Sequence, residues 1–231
     1  MAKITNKIIL FLFGFFVILS VISNTFDGDF GWHLRFGKDA WNNNFQYTDS
    51  YTWTYQNHEW INHEWGGDMV FYWLNNNLGY FSLVIFISLA IWLAFVIAAK
   101  IFNKKLTPFS IIIILLAALS VKFIMMMRLS MLSPLFFVLL WWSLEKLPEK
   151  KTYYWWPLLL WLWSIFHGSW ILGFITINIY VAGNVIQIIT TKVRKCTKIR
   201  NCKIFFSYFL ADLSKSVSSI RMINFPPIFR A

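Results

Sequence analysis

The sequence predicts an all-α fold: a polytopic transmembrane helical bundle of about six spans, with a long first extracytoplasmic loop that contains short interfacial helices. Three observations predict it. The 231 residues are 58% hydrophobic and 13% charged, the latter about half the charged share of an ordinary soluble domain. Near-continuous apolar runs fill residues 8–23, 79–99, 107–127, 129–144, 153–166 and 170–191. Between the first two lies a polar segment, 25–77, that holds seven of the ten acidic residues and three of the four histidines. The first observation argues strongly against a water-soluble enzyme, and the third says where the chemistry is concentrated.

A helix needs ~20 residues to cross a ~30 Å hydrocarbon core. The second, third and sixth runs meet that length. The first, fourth and fifth fall short, so they draw on flanking residues, sit in thinned bilayer or stop below the far surface. Lys3 and Lys7 ahead of the first run would also suit a secretory signal, but Val21-Ile22-Ser23-Asn24 lacks a small-x-small cleavage pattern, and an uncleaved signal anchor is expected.

Placing the N-terminus in the cytoplasm puts Lys100, Lys104 and Lys105, then Lys146, Lys150 and Lys151, and finally the basic stretch 192–203 on one side. That is the positive-inside pattern of a multi-pass cell-membrane protein, with 25–77 outside. The net charge of +11 is thereby a topology signal, and no nucleic-acid partner is expected. Cys196 and Cys202 form neither a disulfide framework nor a CxxC zinc pattern and read as free thiols. Two regions follow: 1–191, membrane-embedded, and 192–231, a basic cytoplasmic segment with an atypical tail.

The segment 25–77 is long for a connection, and long loops tend to be functional. It opens on Asp27-Gly28-Asp29, where Gly28 permits a sharp turn and Asp29 can cap a helix over 30–41. Trp32, Leu34, Phe36 and Trp41 alternate there with Arg35, Lys38 and Asp39, as in a helix lying in the interface, and Asn42-Asn43-Asn44 ends it. Residues 47–55 alternate polar and aromatic, which predicts an extended stretch over an apolar surface. Next, His58-Glu59-Trp60 and His63-Glu64-Trp65 repeat at a spacing of five. A zinc protease needs HExxH, and HExxxH puts the two histidines on different faces, so the metal signal is weak.

Carboxylates at a bilayer boundary are costly unless solvated, paired or functional, which singles out Asp27 and Asp29. In this orientation Arg128 falls at an outer turn between the third and fourth runs, against the positive-inside trend. It either snorkels or offers its guanidinium fork to a phosphate. His167-Gly168-Ser169 faces the same side between the fifth and sixth runs.

These residues resemble a known family. Asp27-x-Asp29-x-x-Trp32-His33-Leu34 with Gly37, Thr48-Asp49, Asn62-His63-Glu64-Trp65, Arg128 and Trp163-x-x-x-His167-Gly168 with Gly173 look like a bacterial family of multi-spanning proteins grouped with GT-C class glycosyltransferases. The resemblance covers roughly residues 8–190. It implies transfer of a sugar from a polyprenyl-phosphate-linked donor to an extracytoplasmic acceptor, inverting the anomeric carbon. Asp27 or Asp29 would be the general base. Arg128 and His167, with His33, His63 and Glu64, would bind substrate and its phosphate. No nucleotide cofactor is expected, and dependence on a divalent metal stays open. Members of that class usually have ten or more spans, so this chain is expected to be the N-terminal part of a larger enzyme, inactive if its donor site is incomplete.

Two other readings stand beside this one. A transporter, flippase or envelope-assembly subunit whose outer loop binds a partner would place ionisable groups in its spans, yet Lys122 is nearly alone there. A metal hydrolase would use His58, His63 and Glu64.

Overall fold

A computed structural model describes residues 2–24, 27–102, 107–146 and 155–197. Lys104, Lys105, Lys150, Lys151, Cys202 and the tail that follows lie outside the described residues. Within them the protein is all-helical, and an isolated antiparallel bridge between Thr48 and Glu59 is the sole strand-like pairing. The helices are α1 (Ala2–Ser23), α2 (Phe30–Trp41), α3 (Trp65–Leu78), α4 (Tyr80–Phe102), α5 (Pro108–Ser120), α6 (Ser133–Lys146), α7 (Trp155–Phe166) and α8 (Trp170–Thr197). The chain divides into two units at residue 177. The first holds α1 to α7 and the start of α8, and the described part of the second is the remainder of α8.

The core of the first unit follows helical periodicity. Phe13, Val17 and Val21 recur every fourth residue on α1, and Leu83, Ile87 and Ile91 do the same on α4. Each triplet forms one stripe, and the two stripes meet together with Ile114 and Ala118 of α5. The opposite faces are equally apolar but bare: Phe11, Phe15 and Leu19 on α1 and Phe81, Ile85 and Leu89 on α4 are exposed. Apolar surface of that extent marks a contact with lipid or protein rather than with water.

Two helices are long and apolar enough to cross a membrane, Tyr80–Ile101 and Trp170–Thr190. The other apolar helices, Ile8–Ser23, Phe109–Ser120, Leu129–Glu145 and Trp155–Phe166, are shorter. The third run departs most from expectation. α5 begins cleanly, with Thr107 Oγ1 accepting from Ser110 N and Pro108 in the first turn, but it ends at Ser120. A 3₁₀ turn over Lys122–Ile124 follows, and a second over Leu129–Leu132 precedes α6. Lys122 therefore sits in a turn and not in mid-helix. The side chain of Asn24, just past α1, stabilises this irregular backbone by donating to the carbonyls of Lys122 at 2.7 Å and Met125 at 2.5 Å.

Residues 25–77 fold over one end of these helices. α2 has the expected bounds, and Asn43, at φ 61°, turns the chain out of it. The turn ahead of α2 closes through Phe30 N donating to Asp27 O, with no positive φ at Gly28. Residues 47–60 double back, Trp60 N donating to Tyr47 O, and Tyr51 and Trp60 pack on Phe36. The alternation nevertheless leaves Trp53 94% exposed.

α2 and α3 approach so closely at Gly37 that a Cβ there would lie 2.1 Å from the Asp68 carbonyl oxygen. Backbone cannot retreat as a side chain can. Gly37→Ala is therefore expected to cost ~3 kcal/mol, the top of the usual overpacking range, and to expose 47–61 to limited proteolysis; a melting curve matching the parent would contradict it.

Candidate active site

Residues that are far apart in sequence converge above α3. The guanidinium of Arg128, just before the second 3₁₀ turn, reaches the two aspartates that precede α2. Its Nη2 donates to Asp29 Oδ2 at 3.0 Å, and its Nε lies 3.1 Å from Asp27 Oδ2. The Nε–H is not aimed at that buried oxygen, so the Asp27 contact is an ion pair without a directed hydrogen bond. Asp29 stands at the N-cap of α2, but its side chain makes no cap hydrogen bond. A charge-assisted bond to Arg128 outcompetes a bond to a backbone N–H, which corrects the expected capping role.

Below this lies a buried pair. His33 Nδ1 donates to Asp68 Oδ1 at 2.6 Å, and Asn62 Nδ2 donates to Asp68 Oδ2, also at 2.6 Å. Burial by itself would lower the His33 pKa, but the hydrogen bond and charge of Asp68, helped by Glu64 and Asp29, outweigh it and leave His33 raised. Burial likewise raises Asp68 against the pull of His33 and Asn62. The pair thus holds its shared proton to higher pH than either group would alone.

Glu64 is the hub. Its backbone N–H donates to Asn62 Oδ1 at 2.8 Å. Its carboxylate has His63 Nε2 at 3.3 Å, His167 Nε2 at 3.4 Å and His33 Nε2 at 3.8 Å. The His63 ring rests on the turn before α8, where a Cβ on Gly168 would come within 3.1 Å of it, a tight approach. His167 is lowered, chiefly by burial, with His63, Arg128 and His33 adding to the effect and Glu64 opposing it.

A cleft of about 470 Å³ opens over this cluster. Asp29, Arg128, His33, His63, Glu64 and Asp68 line it, and so do Trp32 and Trp60, whose ring centroids are 4.7 Å apart. The seven residues named for the sugar-transfer site, Asp27, Asp29, His33, His63, Glu64, Arg128 and His167, belong to this one constellation, though two do so indirectly. Asp27 reaches the cleft through Arg128, and His167 through Glu64, while itself lining a neighbouring groove. His58 stays apart, exposed and against Tyr55. Among the described residues no group of three or more His, Cys, Asp or Glu is arranged to hold a metal ion.

Sequence reasoning missed Asp68 and Ser133, and it marked Ser169 only as part of the outer turn His167-Gly168-Ser169. Asp68 had one available signal, an acid four residues after Glu64 and therefore on its face of a helix. Ser133 had none.

The histidine shifts carry a sign. A raised His33 contributes stability that is whole below the ordinary value of 6.5 and is lost as pH rises through its folded value. The lowered His167 acts oppositely, and only below 6.5. The melting temperature in detergent is therefore expected to fall as pH rises above neutrality, and His33→Gln should flatten that slope; a parent curve flat above neutrality would contradict it.

Comparison of the chain with protein-family models, with curated proteins and with solved structures finds no match.

Proposed function

We propose that the protein is a membrane-embedded sugar transferase resembling the GT-C class. It would move a sugar from a polyprenyl-phosphate donor to a hydroxyl acceptor on the extracytoplasmic side. In this reading the six apolar helices lie in the bilayer, the N-terminus is cytoplasmic, and residues 25–77 form the outer loop. The observation that carries the proposal is a solvent-reachable carboxylate, a guanidinium and two tryptophan faces lining one cleft. Aromatic faces pack on the C–H faces of a sugar ring, and the few polar groups of such a cleft fix its orientation.

The chemistry assigns distinct roles to the two aspartates. Asp29 is 53% exposed on its side chain and uses Oδ2 for Arg128, so Oδ1 is left to take the acceptor's proton. The acceptor oxygen bonds to the anomeric carbon as the bond to the lipid phosphate breaks, and the phosphate leaves with the electron pair. Asp27 does not line the cleft and acts by holding Arg128, which faces the departing phosphate. His63 and Glu64 contact the sugar, and the His33–Asp68 pair fixes the floor.

A second reading has an observation in its favour. Trp53, Tyr47 and Ile61 are strongly exposed on the 47–61 excursion, as on the docking surface of a non-enzymatic transport or assembly subunit. Reconstitution in vesicles with a polyprenyl-phosphate sugar separates the two. Transferase activity releases polyprenyl phosphate in step with sugar transferred; if neither Asp29→Asn nor Asp27→Asn lowers that transfer, the proposal fails.

A further inference from the structure

Next to the polar cleft lies a groove of about 500 Å³, walled by Pro134, Phe137, Trp163 and Leu172, with Ser133, Ser169 and His167 at its polar end. The hydrogen bonds there have a determined direction. Ser169 N–H donates to His167 Nδ1 at 3.1 Å, so Nδ1 carries the lone pair and Nε2 the proton. Glu64 Oε1 lies 3.4 Å from Nε2, an ion-pair contact without a directed hydrogen bond. Ser169 Oγ, 2.7 Å from Nδ1, therefore donates to it. Ser133 Oγ, 2.5 Å from Ser169 Oγ, must then donate to Ser169, as does Trp163 Nε1 at 3.2 Å.

A serine ahead of a helix ordinarily caps it by accepting a backbone N–H. Here the hydroxyl is turned towards an imidazole base 2.7 Å away, whose far nitrogen has a carboxylate 3.4 Å from it. A serine hydroxyl bonded to a neutral imidazole, with an acid near the other ring nitrogen, is the pairing that activates a serine nucleophile. We infer that Ser169, His167 and Glu64 form a nucleophilic site that takes carboxylic esters with a long apolar chain, the chain lying in the groove. The inference is independent of sugar transfer.

The step balances without a further cofactor. Ser169 Oγ bonds to the ester carbonyl carbon as its proton passes to His167 Nδ1. The C–O bond to the alcohol breaks, and the alcohol leaves with that proton. Water then adds to the acyl-serine, again giving a proton to His167, and the acid departs as Ser169 regains its hydrogen. Trp163 N–H and Ser133 O–H hold the Ser169 oxygen in place. Glu64 does not touch the ester and acts as a positioning residue.

The test is covalent labelling of the purified full chain in nanodiscs with a long-chain alkyl fluorophosphonate, the adduct being located by peptide mass mapping. The expected result is one adduct on Ser169, slowed ~100-fold or more in His167→Gln. Glu64→Gln, which keeps an oxygen facing Nε2, should lose less and move the pH profile. Burial lowers the His167 pKa, with His63, Arg128 and His33 adding to the effect and Glu64 opposing it, so labelling should persist to lower pH than an ordinary imidazole base would allow. An adduct on Ser133, no adduct in protein that melts cooperatively, or equal rates in parent and His167→Gln would each overturn the proposal. Because the adduct is mapped in the unaltered chain, the outcome does not depend on any variant folding.

Discussion

Asp29→Asn is expected to lower sugar transfer by ~10²–10⁴-fold, the usual contribution of a positioned general base. The substitution keeps volume and shape and leaves an oxygen for Arg128, so the loss should fall on kcat, with donor KM and melting temperature little changed. Asp27→Asn should behave differently. Its carboxylate is 11% exposed and pairs with the guanidinium, so neutralising it loosens Arg128 and raises the donor KM more than it lowers kcat. The vesicle assay reads both quantities. Equal effects of the two substitutions on kcat would remove the assigned division of labour, and the absence of any effect would remove the proposed function.

Asp68→Ala is expected to cost ~3–5 kcal/mol, the usual consequence of removing one partner from a buried pair. The Asp68 side chain is 2% exposed and that of His33 7%, so water cannot replace what is lost. His33 would keep a proton with no acceptor, and Asn62 would lose its partner as well. Against a typical total of ~5–15 kcal/mol that loss is large enough to detach α2 from α3. Thermal melting in detergent and proteolysis within 47–61 measure it. Asp68→Asn keeps one acceptor and the volume, so it should cost ~1–3 kcal/mol. A small loss in Asp68→Ala would mean that the pair is not what joins the two helices.

Elements were legible where local signals sufficed. α2 could be read with its bounds because its apolar spacing is helical and an asparagine run stops it. α3 could not. Gly66, Gly67 and three consecutive asparagines are poor helix formers, and the glycines are there because Ile165 and Leu129 press on them from elsewhere in the chain. The end of α5 was equally hidden: 107–127 is apolar almost without break, Lys122 being its one charge, and the bonds that replace helix beyond Ser120 come from Asn24, about a hundred residues earlier. The candidate site divides in the same way. Most of its charged members stood out because charge is rare in this chain, whereas Ser133 is indistinguishable from other serines until the fold brings it to Ser169 and His167.

By itself the sequence determined composition-level facts: helices throughout, apolar runs, and a single segment that carries most of the acid. Tertiary structure decided which of those charges touch. Asp29 went to Arg128 instead of its own helix, Asp68 to His33, and Glu64 to His33 and His167 as well as to its neighbour His63, because ion pairs in partly desolvated surroundings are worth more than local caps, and all of these partners except His63 lie 31 to 103 residues away. No spacing rule encodes contacts over such separations, and they are made only when α2 and α3 close on each other at Gly37.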